Sequence, residues 1–248
     1  MDRDISVLLA DWEYDPENPT RMINAADGRL ILQVRRPLGI EQFELTGRPD
    51  GKRPGGHVTA LEAVEARLRA YTEEKGGDEG FELESGEVQE LRDEGILFYY
   101  RYIVLFQMNQ FTRVIDDTEH NLRLCDVLRR YCSEEDERNS VLQFEPYIVR
   151  MHATARAMTL VEAENIEVAE TVINNAIERI EGLDHIESPA FQFERVRSVN
   201  YLRSVMEQVH RRNPNPLEDL KRELELAVEH EDYEKAAELR DQIRDLSS

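Results

Sequence analysis

From residue 96 to the C-terminus nearly every segment of this chain has helical character, with apolar side chains returning at three- and four-residue spacing. That periodicity confines strands to the N-terminal part and asks the rest to fold as packed helices. The interruptions are short: a charged break at 133–139, residues 184–189, and the breaker Asn213-Pro214-Asn215-Pro216. Between them the pattern predicts helices over 96–110, 111–132, 141–164, 166–183 and 191–212, with two short helices in the last 32 residues. In 96–110 apolar residues point in almost every direction, so that helix should be buried on most sides. The next is amphipathic, with Val114, Ile115, Leu122, Val127 and Leu128 near one stripe.

The first 72 residues read differently. RLILQVR (29–35) and IEQFELT (40–46) have high β-propensity, and Leu30, Leu32 and Val34 alternate as a half-buried strand would. Pro37, Leu38 and Gly39 supply the turn of a β-hairpin, and Gly47 to Gly51 with Pro54 to Gly56 end its second strand. Thr59 with Glu62 three residues on forms a capping box, opening a helix whose face is Leu61, Val64, Leu68 and Tyr71. Residues 73–95 are acidic and poor in apolar side chains, which predicts a linker or exposed loop, partly helical toward 88–91. The expected fold class is α+β, mainly α. Its units are a small β-hairpin/helix domain (1–72), an acidic linker (73–95), a domain of antiparallel helical hairpins (96–212) and a C-terminal helical hairpin (213–248).

Composition narrows the function classes. Fifty-two acids against 31 bases give a formal charge of −21, which argues against a general phosphate-backbone binder. Two cysteines cannot build a disulfide framework and suit a reducing compartment. The opening MDRDISVLLADWEYD lacks a basic segment followed by a long apolar one, so a secretory signal is not expected. The longest apolar run, 96–108, is too short to span a bilayer and carries Arg101. A cytoplasmic protein with no membrane partner is the expectation.

Two resemblances add detail. LFYYRYIVLFQMNQFTRVIDDTEHNLRL (97–124) resembles a tetratricopeptide repeat through Phe98, Leu105, Phe111 and Leu122, although Tyr102 and Val114 stand where that family has small residues. Residues 153–180 repeat the pattern through Ala157, Leu160, Ile166, Ala169 and Ala176. Phe111 and Ile166 lie 55 apart rather than 34, so these are either degenerate repeats or ordinary hairpins of a helical bundle.

The C-terminal segment PLEDLKRELELAVEHEDYEKAAELRDQIRDL (216–246) resembles the UVR motif, the helical hairpin shared by the B and C subunits of bacterial excinuclease. Related copies occur in Clp-type chaperone ATPases and their adaptors. The match covers about an eighth of the chain. Leu217, Leu220 and Leu224 form the stripe of the first arm, residues 229–232 the polar corner, and Tyr233 opens the return arm. Ala236 and Ala237 allow close approach, Leu239, Ile243 and Leu246 complete the opposing stripe, and Arg240-Asp241 matches the family's Arg-Asp pair. The resemblance implies docking on a protein partner: another UVR-containing protein, a Clp-type ATPase, or a second copy in a homodimer. Residues 217–246 hold eleven acids and five bases, so a copy of itself is an electrostatically awkward partner. The whole chain also looks like a group of bacterial proteins of unassigned reaction that pair such an N-terminal segment with a C-terminal UVR motif. That likeness lies in Gln33 to Arg35, Leu38-Gly39, Gln42 and Gly47 to Gly51.

Catalytic chemistry finds little support. Gly47 to Lys52 has the wrong spacing for a phosphate loop and is followed by Arg53. Cys125 and Cys132, with His120 or His152, are better read as core packing than as a zinc site. Asp116-Asp117 and Glu134 to Asp136 read as solvated helix faces and breaks. Arg35, Arg36, Arg48, Lys52 and Arg53 are the only local excess of positive charge, a possible contact for an anion or nucleic acid, or else braces of the turn and counters to the acidic body. The sequence therefore points to a non-catalytic adaptor with no cofactor and no metal. The alternative is a nucleic-acid-binding accessory protein linked to DNA repair through the basic hairpin. A small-molecule enzyme would require a deep pocket with converging polar groups in the helical body.

Overall fold

The computed structural model describes residues 4–211, 220, 223–224, 226–228 and 232–246. A short helix α1 (Ser6–Asp11) precedes three strands, β1 (Thr20–Asn24), β2 (Leu30–Arg36) and β3 (Gly39–Glu44). They form an antiparallel sheet in sequence order, with Leu32 opposite both Met22 and Phe43. Pro37 and Leu38 make the tight β2–β3 turn. Strand β1, which pairs along β2, carried no sequence signal that was recognised. Leu30, expected on the buried face, is exposed at the strand's start, while Leu32 and Val34 are buried. The Arg21 guanidinium lies 3.9 Å from the centre of the Trp12 ring and holds that aromatic beside β1.

The sheet has no core of its own. Leu32, Val34, Phe43 and Leu45 pack into one cluster with helix residues such as Tyr102, Leu105, Val114 and Met151. Helix α2 (Ala60–Lys75) follows a single 3-10 turn, Pro54–Gly56. Thr59 Oγ1 accepts from Glu62 N at 3.0 Å, and Glu62 returns the bond to the Val58 amide at 2.7 Å. Gly76 ends the helix in the left-handed conformation, φ +80°.

Helix α3 runs unbroken for 23 residues, Ser85–Gln107. The second half of the acidic stretch is therefore helix, not linker. Its charges hid three inward positions, Val88, Leu91 and Glu94, all buried. Val88 and Leu91 meet Leu61 and Val64 of α2. Nor is the apolar part of α3 enclosed on most sides: Phe98, Tyr102 and Leu105 are buried, while Ile96, Tyr99 and Tyr100 are exposed.

Helices α4 (Phe111–Tyr131), α5 (Glu135–Leu142), α6 (Glu145–Glu162), α7 (Ile166–Glu181) and α8 (Pro189–His210) complete the body. The charged break at 133–139 is mostly the start of α5. The single helix expected over 141–164 is two, because Pro146 lacks the N–H that would continue a helix through Gln143 and Phe144. The α3–α4 and α6–α7 turns share one geometry. Asn109 and Glu164 both adopt positive φ (55° and 59°), and Gln110 N and Asn165 N each donate 2.9 Å back to Leu105 O and Leu160 O. The two hairpins thus share one turn geometry at the 55-residue offset seen in the sequence. Ala157, Ala169 and Ala176 are buried where α6, α7 and α8 approach closely around Ile173, Ile180 and Leu202.

Candidate functional site

The C-terminal hairpin is built around Asp232. Its Oδ1 accepts from Lys235 N at 3.2 Å, capping the return arm α9 (Tyr233–Leu246). Its own amide donates to Ala227 O at 2.8 Å, which ties that arm to the first. Residues 220, 223–224 and 226–228 of the first arm are helical.

Ala227, Ala236 and Leu239 are buried, with Leu220 and Leu224 packed against them. Among the described residues this cluster draws every member from the tail. The residues expected to meet a partner therefore divide. Ala236 and Leu239 hold the arms together, with Leu220 and Leu224 beside them. Tyr233 is 68% exposed, Ala237 and Arg240 are exposed, and Ile243 is half-buried. Leu217 lies outside the described residues, as do 229–231. Sequence reasoning passed over Leu226 and Val228, both exposed. Leu226 lies opposite the 217/220/224 stripe, whereas Val228 continues that stripe at four-residue spacing and is nonetheless exposed.

The N-terminal arginines are largely occupied. Arg35 is buried, and its guanidinium donates to Trp12 O at 2.7 Å, Gly39 O at 3.2 Å and Leu9 O at 3.4 Å, and also to Arg36 O. It pins α1 and the following turn to the sheet. Arg48, also buried, bonds Asp50 at 3.0 Å and Glu94 at 3.4 Å. Arg36 pairs with Glu41 at 3.0 Å. Lys52 and Arg53 are exposed, with Asp50 3.7 Å from the Lys52 ammonium.

Glu94 is fully enclosed and collects four donors. Ala60 N at 2.6 Å and Arg48 reach its Oε2, while Leu61 N at 3.0 Å and His120 Nε2 at 3.1 Å reach its Oε1. Burial pushes its carboxyl up, but the bonds from His120, Ala60 and Leu61 outweigh it and leave the group below its ordinary value. The carboxylate thus closes the N-terminus of α2, where two amides would otherwise be orphaned. Asp117, expected on a solvated face, is buried. It receives both arms of Arg101, at 2.9 and 2.6 Å, while Arg101 also donates to Glu44 O and Gly47 O.

Cys125 and Cys132 belong to separate apolar clusters. Burial pushes the Cys125 thiol far up. His120 stacks on Phe98 at 3.7 Å between ring centres, and His152 bonds Thr118 at 3.0 Å. No group of His, Cys, Asp or Glu among the described residues is arranged to hold a metal ion, and no described helix is long and apolar enough to cross a membrane.

The helical body does contain a cavity of about 650 Å³, bounded by α3, α4, α6, α8 and the α5–α6 turn, with Tyr99, Tyr102 and Tyr147 among its walls. The dense aromatic run FYYRY (98–102) was its sequence signal, read only as a buried helix.

A family model described as the UvrB/uvrC motif matches residues 215–248. No curated protein matches the chain, and no solved structure does.

Proposed function

We propose that this UvrB/uvrC-motif chain is a non-catalytic adaptor or scaffold that docks a protein partner through its C-terminal hairpin. The observation that carries the reading is the hairpin's division into two faces. Leu239 and two alanines close the arms on each other, and Tyr233 and Val228 remain in solvent. A helix of 14 residues is marginal alone, so a second surface that covers these side chains stabilises the hairpin as it binds. The imbalance of eleven acids to five bases favours a partner hairpin or surface that is less acidic, and works against a second copy. Another UVR-bearing protein or a Clp-type ATPase is the class of partner that the motif implies. A nucleic-acid role through the N-terminal hairpin draws less support, since Arg35 and Arg48 direct their donors into the protein's own carbonyls and carboxylates.

Affinity capture with the full chain and with a chain lacking 214–248 tests the proposal. The expected result is a partner retained by the first and absent from the second. Identical partner sets would remove the idea.

A further inference from the structure

The cavity between the helices has features of a ligand site that the docking tail does not explain. Its volume of about 650 Å³ falls within the range that encloses a drug-sized molecule. Its walls are aromatic and mutually braced. Tyr99 meets Tyr102 edge-on at 5.6 Å and Tyr147 at 5.7 Å, and Tyr102 and Tyr147 lie within 28° of parallel at 6.4 Å. Rings held by one another stay in place when a guest enters, so it meets a preformed aromatic wall.

Asn121 adds a specific demand. It is 4% exposed and lines the cavity. Its Nδ2 donates to Gly95 O at 3.0 Å, and because that carbonyl can only accept, the amide orientation is fixed. Its Oδ1 is buried with no hydrogen-bond partner. Buried acceptors are almost always satisfied, so this one marks a position for an N–H or O–H that the chain does not supply.

The rim supplies a third element. Arg92, exposed and with no ion pair among the described residues, stands on α3, and Arg197 stands across from it on α8. Glu194 offsets part of this charge, pairing with Arg197 at 3.5 Å and Arg150 at 3.8 Å. The lining's two guanidiniums against one carboxylate leave the mouth positive on a protein of net charge −21.

From aromatic walls, an unanswered acceptor at depth and a positive rim, we infer that this cavity binds a planar aromatic small molecule that carries an N–H or O–H donor and an acidic group. Two dyes test the aromatic pocket and its positive rim. 1-Anilinonaphthalene-8-sulfonate has the ring system, an N–H and a sulfonate, and N-phenyl-1-naphthylamine lacks only the sulfonate. Titrated into the full-length protein and followed by fluorescence and calorimetry, the sulfonate should bind one saturable site. Arg92→Glu, at an exposed position, should weaken it about tenfold and leave the neutral dye nearly unchanged. Ile96→Trp, which crowds the mouth from another exposed position, should weaken both. Circular dichroism establishes that each variant is folded. The inference is overturned by unsaturable binding of the sulfonate, by equal affinity in all three proteins, or by an Arg92→Glu effect as large on the neutral dye as on the anion.

Discussion

Replacing Glu94 by Gln keeps the side chain's shape and removes its charge, which isolates what that carboxylate does. Both oxygens accept two bonds in the native protein, so one pair of donors must face the new amide nitrogen. Turning the nitrogen toward His120 is the better choice, because the imidazole can switch tautomer and accept. Leu61 N then loses its bond, the N-terminus of α2 loses an anion, and Arg48 retains only Asp50 as counter-charge. Breaking a buried ion pair typically costs about 3–5 kcal/mol, and the remaining Asp50 bond places this case near about 3 kcal/mol. For a chain of this size each kcal/mol moves the unfolding midpoint by about 2–4 °C, giving a fall of about 6–12 °C at pH 7. Thermal unfolding followed by circular dichroism reads it directly. The pH dependence supplies a second check. The native carboxyl lies below its ordinary value, so its contribution is complete above the unfolded pKa of about 4.3 and disappears as pH falls through the lower native value. The gap between wild type and variant should therefore hold from pH 7 to about pH 5 and shrink as the pH falls further. A midpoint within about 2 °C of wild type at pH 7, or a gap that does not shrink in acid, refutes the account of Glu94 as the anchor of α2.

Tyr233→Asp should leave the midpoint of the body unchanged and reduce partner capture, whereas Leu239→Asp should open the hairpin and abolish both capture and amide-exchange protection in α9. If Tyr233→Asp captures as well as wild type, the outer face is not the docking surface. Gly47→Ala should destabilise the protein by about 1–3 kcal/mol in urea unfolding, because φ is +67° and the new Cβ would lie 2.6 Å from Val58 Cγ1; a neutral result would contradict the close packing of this turn. Cys125 should resist a disulfide reagent in the folded protein and react fully in denaturant, since burial both excludes the reagent and keeps the thiol protonated.

Helix periodicity and turn residues made most of the architecture readable. The capping box at Thr59, the β2–β3 turn at Pro37 and the paired hairpins around Phe111 and Ile166 are local features that neighbours reinforce. Three features were less legible for one physical reason, in that tertiary contacts override local composition. Residues 85–94 read as linker with partial helix only toward 88–91, because eight of the ten are charged, polar or glycine, yet Val88, Leu91 and Glu94 fall on one helical face and find partners about 30 residues upstream. Strand β1 has a mixed sequence and exists because β2 offers it an edge. The basic cluster left two readings open, an anion contact or braces of the turn, because sequence reports charge and not the carbonyls folded around it. Arg35 meets acceptors as distant as Leu9, and no spacing rule foretells that.

The two faces of the tail place opposite demands on one hairpin, and the sequence meets them with different residue types. Small and branched apolar side chains close the seam, since Ala227 and Ala236 let the arms approach and Leu239 fills what remains. A partner that relied on those residues would have to pry the arms apart and forfeit the burial they already provide. Tyr233 stands outside instead, at the first position of α9, where an aromatic ring offers apolar area and a hydroxyl at low conformational cost. Around it the acids outnumber the bases, so contact with a like hairpin brings carboxylates together as the apolar faces meet. Self-association through this face should therefore strengthen with added salt, while docking on a basic or neutral surface should weaken or hold. The direction of the salt dependence consequently distinguishes a homodimer from the heterotypic complex that the charge pattern favours.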